Sequence, residues 1–170
     1  YTTLQYIIIS KIFKKASFTI LGDVNQNINP YYKHETLEDL MQIFPCSKYI
    51  ELKKTYRSSK EIIDYTNKIL GLNHVTAIRR ENSKPVIYRS NISNLKKTIL
   101  DDLNVLSLEY LKMAIIAKDH YIATKLYNTI KNDINVSLIN DNTKGINSDL
   151  VIIPAYLAKG LEFDCVIIYN

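Results

Sequence analysis

The stretch Asp149 to Asn170, DLVIIPAYLAKGLEFDCVIIYN, decides how the chain reads. Val151 to Ile153 and Cys165 to Tyr169 are short, continuous and rich in Val and Ile, so both read as buried strands. Between them stand Ala158, Lys159, Gly160, Leu161, Glu162, Phe163 and Asp164. A cation, a backbone-permissive glycine and two carboxylates where a buried strand pauses suggest a loop that meets a ligand at a sheet edge. Spacing alone leaves a second reading open, a charged turn between two sheet strands.

Upstream, the same strand signal recurs at Phe18 to Leu21, Tyr49 to Leu52, Pro85 to Tyr88, Met113 to Ala117 and Val136 to Ile139. Helical spacing alternates with it. Residues 4 to 13, LQYIIISKIF, are apolar nearly all round and suit a buried helix, with a strand as the alternative. Leu37, Leu40, Met41 and Phe44 mark one face of an amphipathic helix over Thr36 to Phe44, ended by Pro45. Ser58 and Glu61 form a capping-box pattern for a helix from Ser59 to Leu70 that buries Ile62, Tyr65 and Ile69. Gly71 to Lys84 reads as a loop. Ile92, Leu95, Ile99, Leu103 and Leu106 predict a further helix, and Asp119 is placed to cap one burying Ile122, Leu126 and Ile130. Asn140 to Ser148 makes the last loop. The strand, helix, strand rhythm from Tyr49 onward predicts an α/β protein whose parallel sheet carries helices on both faces.

The 170 residues suffice for one domain, or one and part of another, and 46% hydrophobic content supplies a core. The 22 basic and 17 acidic side chains leave a formal charge of +5, compatible with a polyanionic partner without requiring one. Cys46 and Cys165 sit in unrelated apolar contexts, which argues against a metal cluster or disulfide framework and for a reduced, cytoplasmic compartment. His34, His74 and His120 are isolated and read as surface residues. No apolar run approaches the roughly 18 residues that span a bilayer, so no membrane partner is expected. A chain that opens on Tyr1 and stops at Asn170 just after a strand is expected to be cut from something longer.

Lys159 to Asp164, KGLEFD, resembles the fifth motif of the UvrD/Rep-like superfamily 1 helicases. Gly22 to Ile28, GDVNQNI, resembles that family's third motif, and Leu52 to Ser59, LKKTYRSS, its fourth. Each is weak alone, but the three occur in the family's order over nearly the whole chain. The resemblance implies a RecA-like, P-loop NTPase-type fold. Residues 1–47 would be the C-terminal part of a first motor domain, and 48–170 a second one truncated before its last motif.

The resemblance also implies roles. The glutamine matching Gln26 senses the terminal phosphate of ATP, and its amide both donates and accepts. The tyrosine matching Tyr56 stacks on adenine, the arginine matching Arg57 reaches the γ-phosphate, and the glutamate matching Glu162 touches the ribose, with Gly160 beside it. Ala158 and Lys159, with Tyr156 before them, fall near the nucleic-acid backbone. Tyr31, next to Asn29 and Pro30, which depart from the pattern, stands where the family stacks an aromatic on single-stranded bases. The plainer alternatives are a solvent-exposed loop for Gln26, core packing for Tyr56, a surface ion pair for Arg57 and a tyrosine-rich loop around Tyr31.

ATP hydrolysis in this family needs a G-x-x-x-x-G-K-S/T phosphate loop and a magnesium-binding acidic motif, and neither occurs here. ATP and Mg2+ are therefore expected as cofactors of a longer parent that contributes the other motor domain. The 170-residue chain alone is expected to be inactive, with DNA, single-stranded or partly duplex, as the parent's partner. Two other readings stand beside the DNA helicase. Pro154 and Tyr156 replace the threonine and histidine usual before the fifth motif, and about nine residues at Asn140 to Ser148 replace a helical subdomain; both features look more like the HelD-type motors that dissociate stalled RNA polymerase. The third reading is a catalytically dead interaction module that keeps the motor fold.

Overall fold

A run of apolar residues becomes a strand only where a neighbour completes its backbone hydrogen bonds, and that condition sorts the predicted strands. The structure is a computed structural model that describes residues 1–27, 32, 34–72, 75–78, 86, 87, 89, 93–143, 145 and 148–170. It divides into two compact units, Tyr1–Arg89 and Ser90–Asn170.

In the first unit, α1 (Thr3–Ile12) opens on a capping box. The Thr2 N–H donates to Gln5 Oε1 at 2.7 Å and the Gln5 N–H donates to Thr2 Oγ1 at 3.3 Å. The expected helix is there, but it is not buried: Tyr6 alone is, while Leu4, Ile7, Ile8 and Ile12 stay exposed. Apolar side chains encircle the helix, whereas the aromatic neighbours Tyr1, His34 and Phe44 gather around Tyr6. Phe18 to Leu21 and Tyr49 to Leu52 are not strands. No described segment pairs with them, and Phe18, Leu21, Tyr49, Ile50 and Leu52 are exposed. The predicted helix over 36–44 is instead a 3₁₀ helix, Glu38–Gln42, with Leu40 buried and Met41 exposed. Five residues without a side-chain cap are too few to sustain an α-helical ladder.

The first unit's sheet is minimal. β1 (Lys54–Thr55) runs parallel to β2 (Thr76–Ala77), a strand inside the stretch expected to be loop. Between them α2 (Lys60–Leu70) takes Ser59 as N-cap without a side-chain hydrogen bond, so the Ser58–Glu61 capping box does not form. Gly71 ends the helix in the left-handed conformation, φ 65°. No residue of α2 is fully buried, and Ile62 and Ile69 are exposed, because two short strands offer little surface to cover. Of the predicted strand Pro85 to Tyr88, both ends lie outside the described residues, and Val86 and Ile87 are in no strand. Ile92 of the next predicted helix is also outside them.

The second unit follows its sequence more closely. α3 (Leu95–Leu106) is capped by Asn94, whose side chain accepts from the Lys97 N–H at 3.1 Å. β3 (Met113–Ala117) leads into α4 (His120–Ile130), whose cap is Asp119: its Oδ1 accepts from the Ile122 N–H at 2.8 Å. β4 (Ser137–Leu138) is shorter than the predicted strand, and β5 (Leu150–Pro154), α5 (Ala155–Ala158) and β6 (Cys165–Tyr169) complete the unit. The four strands are all parallel, in the order β4-β5-β3-β6. The rhythm from Tyr49 onward thus gives two separate parallel sheets among the described residues.

α3 and α4 cover one face, where Ile99, Leu103, Ile115, Ala123, Leu126, Ile130 and Ile152 form the main core. Each Leu or Ile side chain among them contributes about 1.5–3 kcal/mol by burial. The other face, with Ala114, Ile139, Val151 and Ile153, is covered by Leu157, Ala158 and Phe163. β6 corrects the expectation of a buried strand, since its outer face is open. Among the described residues β3 is its one neighbour, Cys165, Ile167 and Tyr169 turn toward the main core, and Val166 and Ile168 are exposed.

Candidate functional site

Parallel strands bring all their carboxyl ends to one edge. From β3 the chain leaves into α4 on the main-core face, while from the adjacent β5 it leaves through α5 on the opposite face. Neighbouring strands whose connections depart to opposite faces open a crevice between their carboxyl ends, the usual ligand position in open α/β sheets. Ala117 and Pro154 are partners in the β3–β5 register, so Lys118, Asp119 and His120 rise on one side of this crevice and Ala155 and Tyr156 on the other.

Tyr156 is 40% exposed, and its hydroxyl donates to Asp141 Oδ2 at 3.0 Å. That bond, followed by desolvation and the Asp141 charge, pushes the phenol pKa up. Ala158 is half-buried against the second core face. The KGLEFD segment begins with a type II turn. Lys159 has φ −60° and ψ 125°, Gly160 has φ 84°, and the Leu161 N–H donates to the Ala158 carbonyl at 3.1 Å. Lys159, Gly160 and Glu162 are exposed, and Phe163 packs on the sheet.

Asp164 departs from the picture of two carboxylates at one edge. Its Oδ2 accepts from the Lys112 N–H at 2.9 Å, and its own N–H donates to the Lys112 carbonyl at 2.9 Å. Lys112 immediately precedes β3, so KGLEFD crosses the sheet from the carboxyl to the amino edge, and Asp164 anchors its far end.

In the first unit, Gln26 closes a 3₁₀ turn, Val24–Gln26, capped by Asp23. Asp23 Oδ1 accepts from the Asn25 N–H at 2.9 Å, and Oδ2 accepts from Gln26 Nε2 at 2.7 Å. The Gln26 amide is thus held by its donor end. Gly22 lies against Leu37: a Cβ there would stand 2.9 Å from Leu37 Cδ1. Tyr56 and Arg57 occupy the turn between the carboxyl end of β1 and the start of α2. Both are exposed, Tyr56 to 73%, which rules out core packing of its ring within the described chain. Tyr31, with Asn29, Pro30 and Lys33, lies outside the described residues; Tyr32 hydrogen-bonds through its hydroxyl to Thr3 Oγ1.

Tyr156, Ala158, Lys159, Gly160 and Glu162 therefore share one segment of the second unit, while Gln26, Tyr56 and Arg57 stand on two turns of the first. Asp141 has no role in the sequence reading, which takes Asp119 only as a helix cap and His120 only as a surface residue and does not place the Lys118–His120 turn at a site. A polar triplet directly after the apolar run MAIIA was the available signal for the turn; nothing local marks Asp141. Among the described residues no group of three His, Cys, Asp or Glu side chains is arranged to hold a metal ion. No described helix is long and apolar enough to cross a membrane. No protein-family model matches the chain, and no curated protein matches it.

Proposed function

We propose that this chain supplies one wall of the ATP cleft and part of the single-stranded DNA track of a superfamily 1 helicase with RecA-like motor domains. The observation that carries the proposal is the exposed Tyr56–Arg57 pair on the turn at the carboxyl end of a parallel strand, directly before a helix. A planar ring there offers stacking to adenine without reading sequence, and a guanidinium neutralises charge that builds on a transferred phosphoryl group. Gln26, whose amide nitrogen donates to Asp23, carries a side-chain amide that can both donate and accept, the chemistry that orients an attacking water beside a terminal phosphate. These groups suit the base and terminal phosphate of ATP. They do not include the phosphate loop or acidic magnesium ligands, which the proposal assigns to the other motor domain of a longer parent.

The test compares the intact parent protein with its Arg57→Ala form in a steady-state ATPase assay with and without single-stranded DNA. DNA-stimulated, magnesium-dependent turnover that falls by about a thousandfold in the variant is expected. Turnover by the 170-residue chain alone, or an unchanged rate in the variant, overturns the proposal.

A second reading, a HelD-like motor acting on RNA polymerase, is supported by sequence alone: only about nine residues, Asn140 to Ser148, separate the strand run from the next, and Pro154 and Tyr156 stand ahead of KGLEFD. Capture of RNA polymerase, set against DNA affinity over a salt series, separates the two. A DNA motor loses affinity steeply as salt rises. The dead module keeps the fold and fails both assays.

A further inference from the structure

We infer that Asp141 is a positioning residue for the 155–160 segment: by accepting the Tyr156 hydroxyl it fixes that ring at the rim of the β3–β5 crevice and orients Lys159 and Gly160 toward a nucleic-acid strand. The inference rests on the reading of this segment as part of a nucleic-acid track. Asp141 is itself held in place. It sits in a closed turn in which the Thr143 N–H donates to the Asn140 carbonyl at 3.0 Å, the Asn142 N–H to Asn140 Oδ1 at 3.0 Å, and the Asn140 N–H to Thr143 Oγ1 at 3.0 Å. The turn is tied to the sheet just before it, where the Ile139 N–H donates to the Ile152 carbonyl at 2.9 Å. On the other side, fully buried Pro154 fixes where α5 begins, and Leu157 and Ala158 pack on the core. Between these anchors Tyr156 is 40% exposed, and its hydroxyl bond to Asp141 Oδ2 at 3.0 Å ties the ring to the 140–143 turn.

Positioning and electrostatics make opposite predictions here. A carboxylate beside a polyanion repels it, so if Asp141 were only a surface charge its removal would tighten DNA binding. If it positions the segment, removal weakens binding despite the lost repulsion.

The experiment uses the 170-residue chain with Asp141→Ala, Asp141→Asn, Tyr156→Phe and the Asp141→Ala/Tyr156→Phe double variant. Amide hydrogen exchange over 155–161 and anisotropy titration with an oligothymidine strand are the two measurements. Asp141→Ala and Tyr156→Phe should each speed exchange by about fivefold, with the double variant no faster than either. Asp141→Asn keeps an acceptor oxygen and should stay near the parent value. Oligothymidine affinity should fall about fivefold in Asp141→Ala and not in Asp141→Asn. Unchanged exchange in Asp141→Ala, additive effects in the double variant, or tighter DNA binding by Asp141→Ala would overturn the inference. If the unmodified chain binds no DNA at any salt concentration, the track reading fails and the orienting role toward nucleic acid falls with it, while the exchange cycle still decides whether Asp141 orders the segment.

Discussion

Asp164 and Lys112 stand 52 residues apart and grip each other twice, side chain to backbone N–H and backbone N–H to carbonyl, each at 2.9 Å. The pair ties the residue before β6 to the residue before β3, next to the first register pair Met113–Cys165, much as an N-cap ties the first turn of a helix. Asp164→Ala leaves the Lys112 N–H unpaired and should lower stability by about 1 kcal/mol, with Asp164→Asn recovering part of the loss. Urea unfolding of the three proteins measures it; equal midpoints would show that the pair does not hold the sheet edge.

β5 and β6 are both apolar β-branched runs, but they should respond differently to truncation. Ile152 is fully buried, whereas Ile168 is 78% exposed. Ile152→Ala should cost about 2–5 kcal/mol and Ile168→Ala no more than about 0.5 kcal/mol. Thermal unfolding of the two variants checks the contrast, and similar losses would mean that the open face of β6 is covered.

The contrast shows what the sequence could reveal. MAIIA, LVIIP and CVIIY are legible as strands because continuous apolar runs bounded by polar residues have few other stable destinations. Burial on one face or two depends on sheet order, which places β6 at an edge and has no signature in the run itself. Phe18–Leu21 and Tyr49–Leu52 carry a similar signal and join no sheet among the described residues, because pairing is a property of the neighbour. Asp119 is readable as a cap since its acceptor and donor are three residues apart. Asp141 and Asp164 are not, because their partners Tyr156 and Lys112 lie 15 and 52 residues away.

The two cysteines should differ in reactivity. Burial, with a smaller contribution from the Asp164 charge, pushes the Cys165 thiol pKa up, and Cys46 is exposed. The thiolate is the nucleophile, so a raised pKa leaves less of it at neutral pH, and Cys165 should gain reactivity only as the solution is made alkaline. With iodoacetamide at neutral pH, Cys46 should be alkylated at least about fivefold faster. Urea should abolish the difference. Mass-spectrometric time courses read it directly, and equal native rates would contradict the packing of Cys165 on the core.

The turn that launches KGLEFD across the sheet separates a backbone cost from a steric one. Gly160 takes φ 84° at the third position of the Ala158–Leu161 turn, the place where a type II turn demands a positive φ. A Cβ built there meets no atom within 4 Å, so a substitution costs only the left-handed conformation. Gly160→Ala should therefore destabilise the second unit by about 1 kcal/mol, and Gly160→Asn by less, because asparagine tolerates this region better. A steric site would rank the two the other way, since asparagine is the larger side chain. Because the turn sets the direction in which Lys159 and Glu162 leave the carboxyl edge, Gly160→Ala should also speed amide exchange at Leu161. A variant as stable as the parent, with Leu161 exchange unchanged, would mean that the segment does not turn there, and the route from the crevice to Asp164 would have to be redrawn.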